Sequence, residues 1–213
     1  MTQIAQDDHL KIEKLTLGPY GTNCYILTCL ETGESLLVDA PAQASEIKAA
    51  AQGTRPRYLF ITHGHGDHTG ALRELKSGLE IPVGVHRLDA ERLPVKPDLL
   101  LEDGREFSIG KIPIRVIHTP GHTPGSLCLL TGRFLISGDT LFPGGPGHTG
   151  SPADLKRLVE SITEKLLMLP EDTEVHPGHG GPTLIKTAKE EVAAFQNRSH
   201  DPGLCGDVLW LSS

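Results

Sequence analysis

The sequence predicts an α/β fold in which two stacked β-sheets carry helices on their outer faces. Apolar runs typical of strands precede helical patterns in the first half of the 213-residue chain, and the same order returns in the second half. Histidine-rich segments follow several predicted strands, as expected at the ligand-binding edge of an α/β sheet. No low-complexity linker divides the chain, and its 38% hydrophobic content can fill one core, so residues 1–213 are expected to form a single domain.

In the first half, turn signals rich in glycine and proline separate short apolar runs. The helix after the third strand is alanine-rich, and Ser45 is its candidate N-cap. Two prolines and many charged residues between positions 88 and 106 predict a short helix and a surface loop. The predicted strands cover residues 11–17, 23–30, 35–39, 57–61 and 81–85, and the predicted helices cover residues 45–52 and 69–76.

The second half begins with three predicted strands and ends with a strand between two helices. Ser151 stands where an N-cap is expected, with proline at the next position and Asp154 three residues on. Apolar residues then recur at helical spacing until Pro170, which ends the helix. The predicted strands cover residues 112–118, 126–130, 133–137 and 173–176, and the second helix covers residues 184–196.

The stretch Thr62-His-Gly-His-Gly-Asp-His68 is the most informative segment of the chain, because it places His63, His65, Asp67 and His68 within six positions. Imidazole suits zinc and iron, and a carboxylate adds the negative charge needed to hold a second dication. The intervening glycines remove bulk and permit unusual backbone angles, so a short loop can direct its ligands two ways. The segment is expected at the carboxyl end of a strand and just before a helix, where ligand sites gather.

Three further polar segments follow predicted strands and complete a candidate metal site. Glycine or proline beside each polar residue makes a stiff turn that can fix a ligand near another loop. Positions four apart share a face on a strand, but the Thr-Pro-Gly turn after His118 breaks that register, which favours a buried or supporting role for His118 over a ligand role. Asp39 ends another strand and is expected either to orient a ligand histidine or to form a plain turn. The three segments contain His118 and His122, then Asp139, then His176 and His179.

Composition and charge argue against several classes of protein. The net charge of −7 disfavours a nucleic-acid or anionic-membrane partner, since both prefer a basic face. No apolar run approaches the ~18 residues of a membrane span, and the first residues have neither the basic end nor the apolar stretch of a secretion signal. The four cysteines form no C-x-x-C pair, so buried free thiols are expected. A cytoplasmic protein that acts on a small molecule is predicted.

Taken in order, four motifs resemble those of the metallo-β-lactamase superfamily: H-x-H-x-D-H, P-G-H-T-P-G, S-G-D-T-L-F and P-G-H-G. The resemblance extends from about Leu15 to Gly181. It is strongest to the small glyoxalase II-like hydrolases, because of Gly-Pro-Tyr-Gly-Thr-Asn-Cys24 and Gly138-Asp-Thr-Leu-Phe-Pro-Gly-Gly145. It implies a four-layer αββα sandwich of two mixed β-sheets with helices outside. True β-lactamases generally lack an aspartate at the place of Asp139, so the resemblance argues against antibiotic hydrolysis.

The same resemblance implies a site for two divalent metal ions. Two dications bring four positive charges, while two carboxylates and a shared hydroxide return three negative ones, so neutral imidazoles suffice for the remaining ligands. Zinc is the expected metal, and iron or manganese suits the same ligands. The resemblance assigns the histidine of P-G-H-G as a ligand and therefore favours His179 over His176. One ion is expected on His63, His65 and His122, the other on Asp67, His68 and His179, with Asp139 bridging both.

Hydrolysis of a small thioester, such as S-lactoylglutathione, is the activity that the resemblance implies. A metal-bridging hydroxide would attack the carbonyl, with Asp67 orienting that hydroxide and Asp139 acting as the bridging ligand. No G-x-S-x-G motif offers a serine nucleophile instead. Larger glyoxalase II enzymes bind glutathione partly through a helical carboxy-terminal domain, whereas this chain has room for one helix and a tail. A thioester of a different thiol is therefore an alternative substrate.

Two other activities of the same fold stay open. A persulfide dioxygenase would use a single iron on the equivalents of His63, His122 and Asp139, and a lactonase would use the hydrolytic site. A non-catalytic binding module is expected to have lost ligands, and an RNA-processing nuclease to have a basic stretch. The sequence has neither feature.

Two features depart from the glyoxalase II-like pattern or lie outside it. Where those proteins usually have arginine after Gly-Gly-x-Gly, this chain has His148, and an imidazole cannot form a forked hydrogen bond. The tail, residues 203–213, carries the only tryptophan and is expected to pack onto the domain or onto the partner subunit of a homodimer. The remaining histidines are predicted to be ordinary surface residues, namely His9, His86 and His200.

Overall fold

The computed structural model describes residues 1–213 and contains two large β-sheets, a short hairpin and five α-helices. A 3₁₀ turn covers Ala90–Arg92, and a π-helical turn over Ile162–Leu166 extends the fourth helix. The strands are β1 (Thr2–Gln6), β2 (Leu10–Leu17), β3 (Thr22–Cys29), β4 (Glu34–Val38), β5 (Arg55–Phe60), β6 (Val83–Val85), β7 (Leu99–Leu100), β8 (Glu106–Ile109), β9 (Ile112–His118), β10 (Leu127–Thr131), β11 (Phe134–Gly138), β12 (Leu141–Phe142), β13 (Gly145–Pro146), β14 (Glu174–Pro177) and β15 (Thr183–Leu184). The helices are α1 (Ala44–Ala50), α2 (Gly66–Thr69), α3 (Leu72–Leu79), α4 (Pro152–Ser161) and α5 (Ile185–Gln196).

Both large sheets mix parallel and antiparallel pairs. The first has the order β1-β2-β3-β4-β5-β6-β7, antiparallel as far as β4 and parallel beyond it. The second has the order β15-β14-β11-β10-β9-β8, in which only the β11–β14 pair is parallel. Parallel neighbours leave the sheet at the same edge, so the loops after β4 and β5 meet, as do the loops after β11 and β14.

Three separate apolar clusters give the molecule its layers. One contains inward-facing residues of both sheets, such as Val38, Phe60, Val116 and Ile136, and forms the core between them. A second joins the outer face of the first sheet to α1 and α3, and a third joins the outer face of the second sheet to α4 and α5. Sheets with apolar side chains on both faces must be covered on both. The four-layer αββα sandwich predicted from the sequence is confirmed.

Of the two N-caps predicted from the sequence, the structure has one. Ser151 caps α4 by accepting a hydrogen bond from the Asp154 backbone N–H at 3.2 Å, with Pro152 in the first turn, as predicted. The prediction of Ser45 as a cap is wrong. Helix α1 begins one residue earlier, and its N-cap is Gln43 in a left-handed conformation (φ 48°) without a side-chain cap bond.

The predicted helix over residues 69–76 corresponds mainly to α3, which begins at Leu72, and a separate short helix, α2, precedes it and ends at Thr69. Asp67 and His68 lie within α2 rather than in a loop ahead of a helix, and only His63 and His65 lie in the loop after β5. Neither Gly64 nor Gly66 has a positive φ, so the backbone freedom of glycine is not used at these two positions. Gly64 is required for space instead, because a Cβ there would lie 2.6 Å from the Cβ of Arg92.

The carboxy-terminal tail packs against the second half of the same chain. Trp210 is fully buried, and its backbone N–H donates to the Gly144 carbonyl at 2.8 Å. Arg198 at the end of α5 donates hydrogen bonds to the carbonyls of Trp210 and Leu211. All four cysteines are free thiols, three of them buried. No helix has the length and apolar character that a membrane crossing requires.

Candidate metal centre

Loops at one edge of both sheets bring all seven predicted ligands together. His63, His65, Asp67 and His68 follow β5, in the parallel part of the first sheet. The other three follow strands of the second sheet, namely His122 after β9, Asp139 after β11 and His179 after β14. Potential ligand atoms of His63, His65 and His122 lie within 4.8 Å of one another, and so do those of Asp67, His68 and His179.

The first of these groups is a cluster of three imidazoles, which we call the three-histidine position. The Nε2 atom of His63 lies 3.1 Å from Nδ1 of His65 and 3.2 Å from Nε2 of His122, and the latter two atoms are 2.9 Å apart. His63 is fully buried, while His65 and His122 are partly exposed. The group therefore opens to solvent on one side.

The second group combines a carboxylate with two imidazoles, and we call it the aspartate–histidine position. The Nε2 atom of His179 lies 3.3 Å from Nε2 of His68 and 3.2 Å from the Asp67 carboxylate. Asp67 also accepts a hydrogen bond from the Thr22 hydroxyl at 3.1 Å. Here too the innermost histidine, His68, is fully buried and the other members are partly exposed.

Asp139 lies between the two positions. Its Oδ2 atom is 3.6 Å from Nε2 of His122, and its Oδ1 atom is 3.4 Å from Nε2 of His68. Burial disfavours the charged carboxylate, but the neighbouring imidazoles of His179 and His68 hold the pKa of Asp139 well below its usual range. Its Oδ1 atom is buried without a hydrogen-bond partner. The placement is that of a carboxylate able to contact both positions.

Hydrogen bonds at the outer nitrogens fix how the rings face the centre. Nδ1–H of His68 donates to Asp39 at 2.8 Å, and Nδ1–H of His179 donates to the Tyr20 carbonyl at 3.1 Å. Nδ1–H of His122 donates to the His148 carbonyl at 2.8 Å. When these rings are neutral, as metal ligands are, each presents an Nε2 lone pair to its neighbours, because a neutral imidazole carries one N–H.

His63 follows the same rule through an intermediary. The Thr62 hydroxyl donates to the Asp39 carboxylate, at 2.9 Å to one of its oxygens, and can accept from His63 Nδ1–H at 3.2 Å. Lone pairs that face each other at about 3 Å repel unless a cation lies between them. This inward array and the unpartnered Asp139 oxygen are the donor set that divalent cations require, so the residues fit a pair of metal ions.

Electrostatics distinguish the histidines of the two positions. Burial lowers the pKa of His63, His65 and His122, which keeps these rings neutral and ready to bind a cation. Burial also opposes a charge on His68, but the carboxylates of Asp39 and Asp139 outweigh it and raise the pKa of His68 to about 10. In the absence of a metal, the aspartate–histidine position therefore attracts positive charge in the form of a proton.

Two glycines leave space for Asp139. A Cβ at Gly178 would overlap its Oδ1 atom, and a Cβ at Gly147 would overlap its backbone carbonyl. The motifs that carry these glycines thus let two loops approach Asp139 closely.

The four supporting candidates lie in different surroundings. Asp39 contacts His68 and also accepts from the Thr62 backbone N–H at 2.8 Å, so it orients a histidine rather than forming a plain turn. His148 reaches the centre only through its carbonyl, while its exposed ring contacts Asp207 at 2.9 Å.

His176 is buried beside Tyr25 and Phe134, in the core between the sheets. It belongs to none of the ligand groups.

His118 is also outside the ligand groups, and it lies against His86. Its Nε2–H donates to the Pro124 carbonyl at 2.9 Å, and its ring stacks on His86 with 3.9 Å between centroids. His86 is buried, so its prediction as an ordinary surface residue is wrong.

Several residues that support the site were missed in the sequence analysis. Asn23 and Tyr25 at the start of β3 hold the P-G-H-G loop, since both donate to the Pro177 carbonyl, at 2.9 and 2.6 Å. Asp89 is fully buried and contacts the loops of both His63 and His122. Asn23 belongs to the Gly-Pro-Tyr-Gly-Thr-Asn-Cys24 motif but was given no role from the sequence, and no local pattern hinted at Asp89.

A cavity of about 290 Å³ opens beside the centre. It is lined by His122 and Asp139 of the centre, by Phe142 and Pro143, and by tail residues 207–209. The tail therefore shapes the space available to a molecule bound at the metal centre.

Comparison with known proteins agrees with this geometry. The family model described as "Metallo-beta-lactamase superfamily" matches residues 17–179. A hydroxyacylglutathione hydrolase from Anaeromyxobacter dehalogenans is 40% identical over 161 residues, which cover 75% of this chain and 62% of that protein. The chain thus spans less than two thirds of that relative's length.

Three solved structures share the fold at similar levels. The B3 metallo-β-lactamase BLEG-1 has a TM-score of 0.77 and 29% identity, over 84% of this chain and 96% of that one. ETHE1 from Myxococcus xanthus has a TM-score of 0.74 and 26% identity, over 84% and 81%. TTHA1623 in a di-iron-bound form has a TM-score of 0.73 and 33% identity, over 83% and 96%.

Proposed function

The chain belongs to the metallo-β-lactamase superfamily, and from that premise we propose that it is a binuclear metallo-hydrolase that cleaves a small thioester. Two divalent ions would be held by the seven side chains described above, with Asp139 contacting both. Zinc is the metal we propose first. The similarity to a protein solved in a di-iron-bound form keeps iron as the main competitor, and manganese suits the same ligands.

The completeness of the aspartate–histidine position is the observation that carries this proposal. A single-metal site needs only one group of ligands, whereas Asp67, His68 and His179 form a second group with its own supporting contacts. A buried charged contact such as His68–Asp39 costs desolvation free energy, and holding His68 as a metal ligand would account for it. A site that orients both groups is therefore best explained by two ions.

The protein's own residues supply positioning and charge. When bound, divalent ions polarise a carbonyl and lower the pKa of water, which is what thioester hydrolysis at neutral pH requires. Asp67 is held by Thr22 and partly exposed, so its carboxylate can accept a proton from a water molecule and orient it towards the substrate. Phe142 and Pro143 offer an apolar wall on which the substrate can lie with its carbonyl near Asp139.

The dimensions of the cavity favour a small substrate. Its walls include Leu209 and the exposed His148–Asp207 pair, and no lysine or arginine lines it. The similarity to hydroxyacylglutathione hydrolases supports a thioester, but the chain spans only 62% of the Anaeromyxobacter protein. We therefore propose the thioester as the reacting group without proposing glutathione as its thiol. We also propose a cytoplasmic location.

Two alternatives within the fold are retained. A persulfide dioxygenase would need one iron, on His63, His122 and Asp139, and the similarity to ETHE1 from Myxococcus xanthus fits this alternative. A lactonase would use the same hydrolytic site on a cyclic ester. The complete second group of ligands favours the hydrolases over the dioxygenase.

The decisive experiment combines metal analysis with a substrate panel. We expect about two equivalents of metal per chain and hydrolysis of small acyl thioesters, measured by thiol release, in preference to lactones and β-lactams. A β-lactam belongs in the panel because of the similarity to BLEG-1. One equivalent of iron with oxygen uptake on a persulfide would contradict the proposal and support the dioxygenase.

A further inference from the structure

Asp89 is a fully buried carboxylate that contacts two loops of the metal centre at once. It lies after β6, at the start of the 3₁₀ turn. Its Oδ2 atom accepts hydrogen bonds from the Gly64 backbone N–H at 2.7 Å and from the Thr123 hydroxyl at 2.8 Å. Its Oδ1 atom accepts from the Gly125 backbone N–H at 3.0 Å.

These three donors flank the ligands of one metal position only. Gly64 lies between His63 and His65, and Thr123 directly follows His122. The loops that carry the three-histidine position are therefore joined through a single side chain. The aspartate–histidine position has no such contact with Asp89, since its supports are Asp39, Thr22 and the Tyr20 carbonyl.

The surroundings of Asp89 indicate that it does more than fill space in the core. Its nearest cationic group, Nε of Arg92, lies 3.9 Å away on a side chain that is 46% exposed. A buried carboxylate without a close ion pair is costly, and here it is stabilised mainly by the three donors from the ligand loops. Each bond restrains a loop that carries a histidine.

We propose that Asp89 is a positioning residue for the three-histidine position, which it preorganises by clamping the His63–His65 loop to the His122 loop. This inference rests on the proposed metal centre. It predicts that the two positions depend differently on Asp89, although they share Asp139. A residue that merely stabilised the fold would weaken both equally.

Asn is the informative substitution because it preserves size but has one acceptor oxygen. If the amide nitrogen replaces Oδ2, the Gly64 N–H faces another donor; if it replaces Oδ1, the Gly125 N–H does. In the first orientation the His63–His65 loop loses its anchor, and in the second the His122 loop keeps only the bond from Thr123. Asp98→Asn is a control for the same substitution at an exposed carboxylate, because Asp98 also accepts from a backbone N–H, that of Val83 at 2.9 Å, but does so away from the metal centre.

The test measures metal affinity by competition with a chromophoric chelator, using zinc on the purified full-length chain. For Asp89→Asn we expect one equivalent to weaken by roughly 10- to 100-fold, the usual range for lost support of metal ligands. The other equivalent and both equivalents of Asp98→Asn should stay near wild type. Thr123→Val, which removes one donor and no charge, should weaken the same equivalent to a smaller extent.

Background variants identify which position is affected. In a His179→Ala background, Asp89→Asn should weaken the remaining equivalent fully, and in a His65→Ala background it should add little. Equal weakening of both equivalents, or a full effect in the His65→Ala background, would overturn the inference while leaving the proposed function intact. Failure of the wild-type chain to bind zinc, iron or manganese would overturn the proposed function as well.

Discussion

The two metal positions meet at Asp139 but are supported by different chemistry. At the three-histidine position the outer contacts of the rings are uncharged, namely the Thr62 hydroxyl and the His148 carbonyl. At the aspartate–histidine position a buried carboxylate, Asp39, contacts His68 directly. A carboxylate partner makes an imidazole a more basic ligand than a carbonyl partner does.

The difference extends to the ligands themselves. The three-histidine position has no carboxylate of its own, whereas the other position includes Asp67 and is adjacent to Asp39. More oxygen ligands and more negative charge favour harder cations, so the two positions should differ in metal preference as well as in affinity. The metal preference and affinity of two neighbouring sites can therefore be tuned separately through their outer contacts, even when the sites share a ligand.

The largest effect is expected where the two positions join. Asp139→Ala should release both metals and reduce thioester hydrolysis by on the order of 10³-fold or more, because both positions lose a charged ligand. Metal content by elemental analysis and thiol release would be measured together. The exposed Asp172→Ala variant is the control, and a variant at Asp139 that retained both metals would contradict the bridging role.

A smaller and more selective effect is expected from Asp39→Asn. Asn tolerates the left-handed backbone at this position (φ 63°), so the change acts on the carboxylate. Affinity at the aspartate–histidine position should fall by roughly 10- to 100-fold, since His68 loses its charged partner. Chelator competition should show a smaller change at the other position, which depends on Asp39 only through Thr62. A larger loss of affinity at the three-histidine position would mean that Asp39 does not mainly support His68.

The smallest effect on metal is expected from His118→Ala. The ring stacks on His86 and donates to the Pro124 carbonyl, and it lies in neither position. Both metals should be retained, with a loss of stability of about 1 kcal/mol from the hydrogen bond, seen by chemical denaturation. His122→Ala serves as the contrasting variant. Loss of metal in the His118 variant equal to that of the His122 variant would mean that the ligand assignment is wrong.

Much of the fold was predictable because its signals are local. Alternating and continuous apolar runs predicted all the long strands from β2 to β5 and from β9 to β11 within about two residues, and Ser151 was predicted as a cap from four residues. Strand β1 was missed because Ile4 is its only large apolar residue among polar or small ones, and because it lies at the edge of the sheet, where it pairs only with β2. The Gln43 cap was missed because its left-handed backbone has no glycine or side-chain bond to reveal it.

Within the site, the seven candidate ligands could be named because their motifs are short and ordered along the chain. Their supports divide into two kinds. Asp39 was considered because it ends a strand near the same edge. Asp89 was not, since its three partners are Gly64, Thr123 and Gly125, which lie 25 to 36 residues away in the sequence.

By itself the sequence determined the layers and the chemical types of the ligands, because apolar periodicity and histidine spacing are properties of neighbouring residues. Only the tertiary structure decided which nitrogen of each ring faces inward, that Asp89 joins two ligand loops, and that tail residues 207–209 line the cavity. Those features depend on distances between loops from two different sheets. Such distances are set by how the sheets pack, and no stretch of neighbouring residues records them.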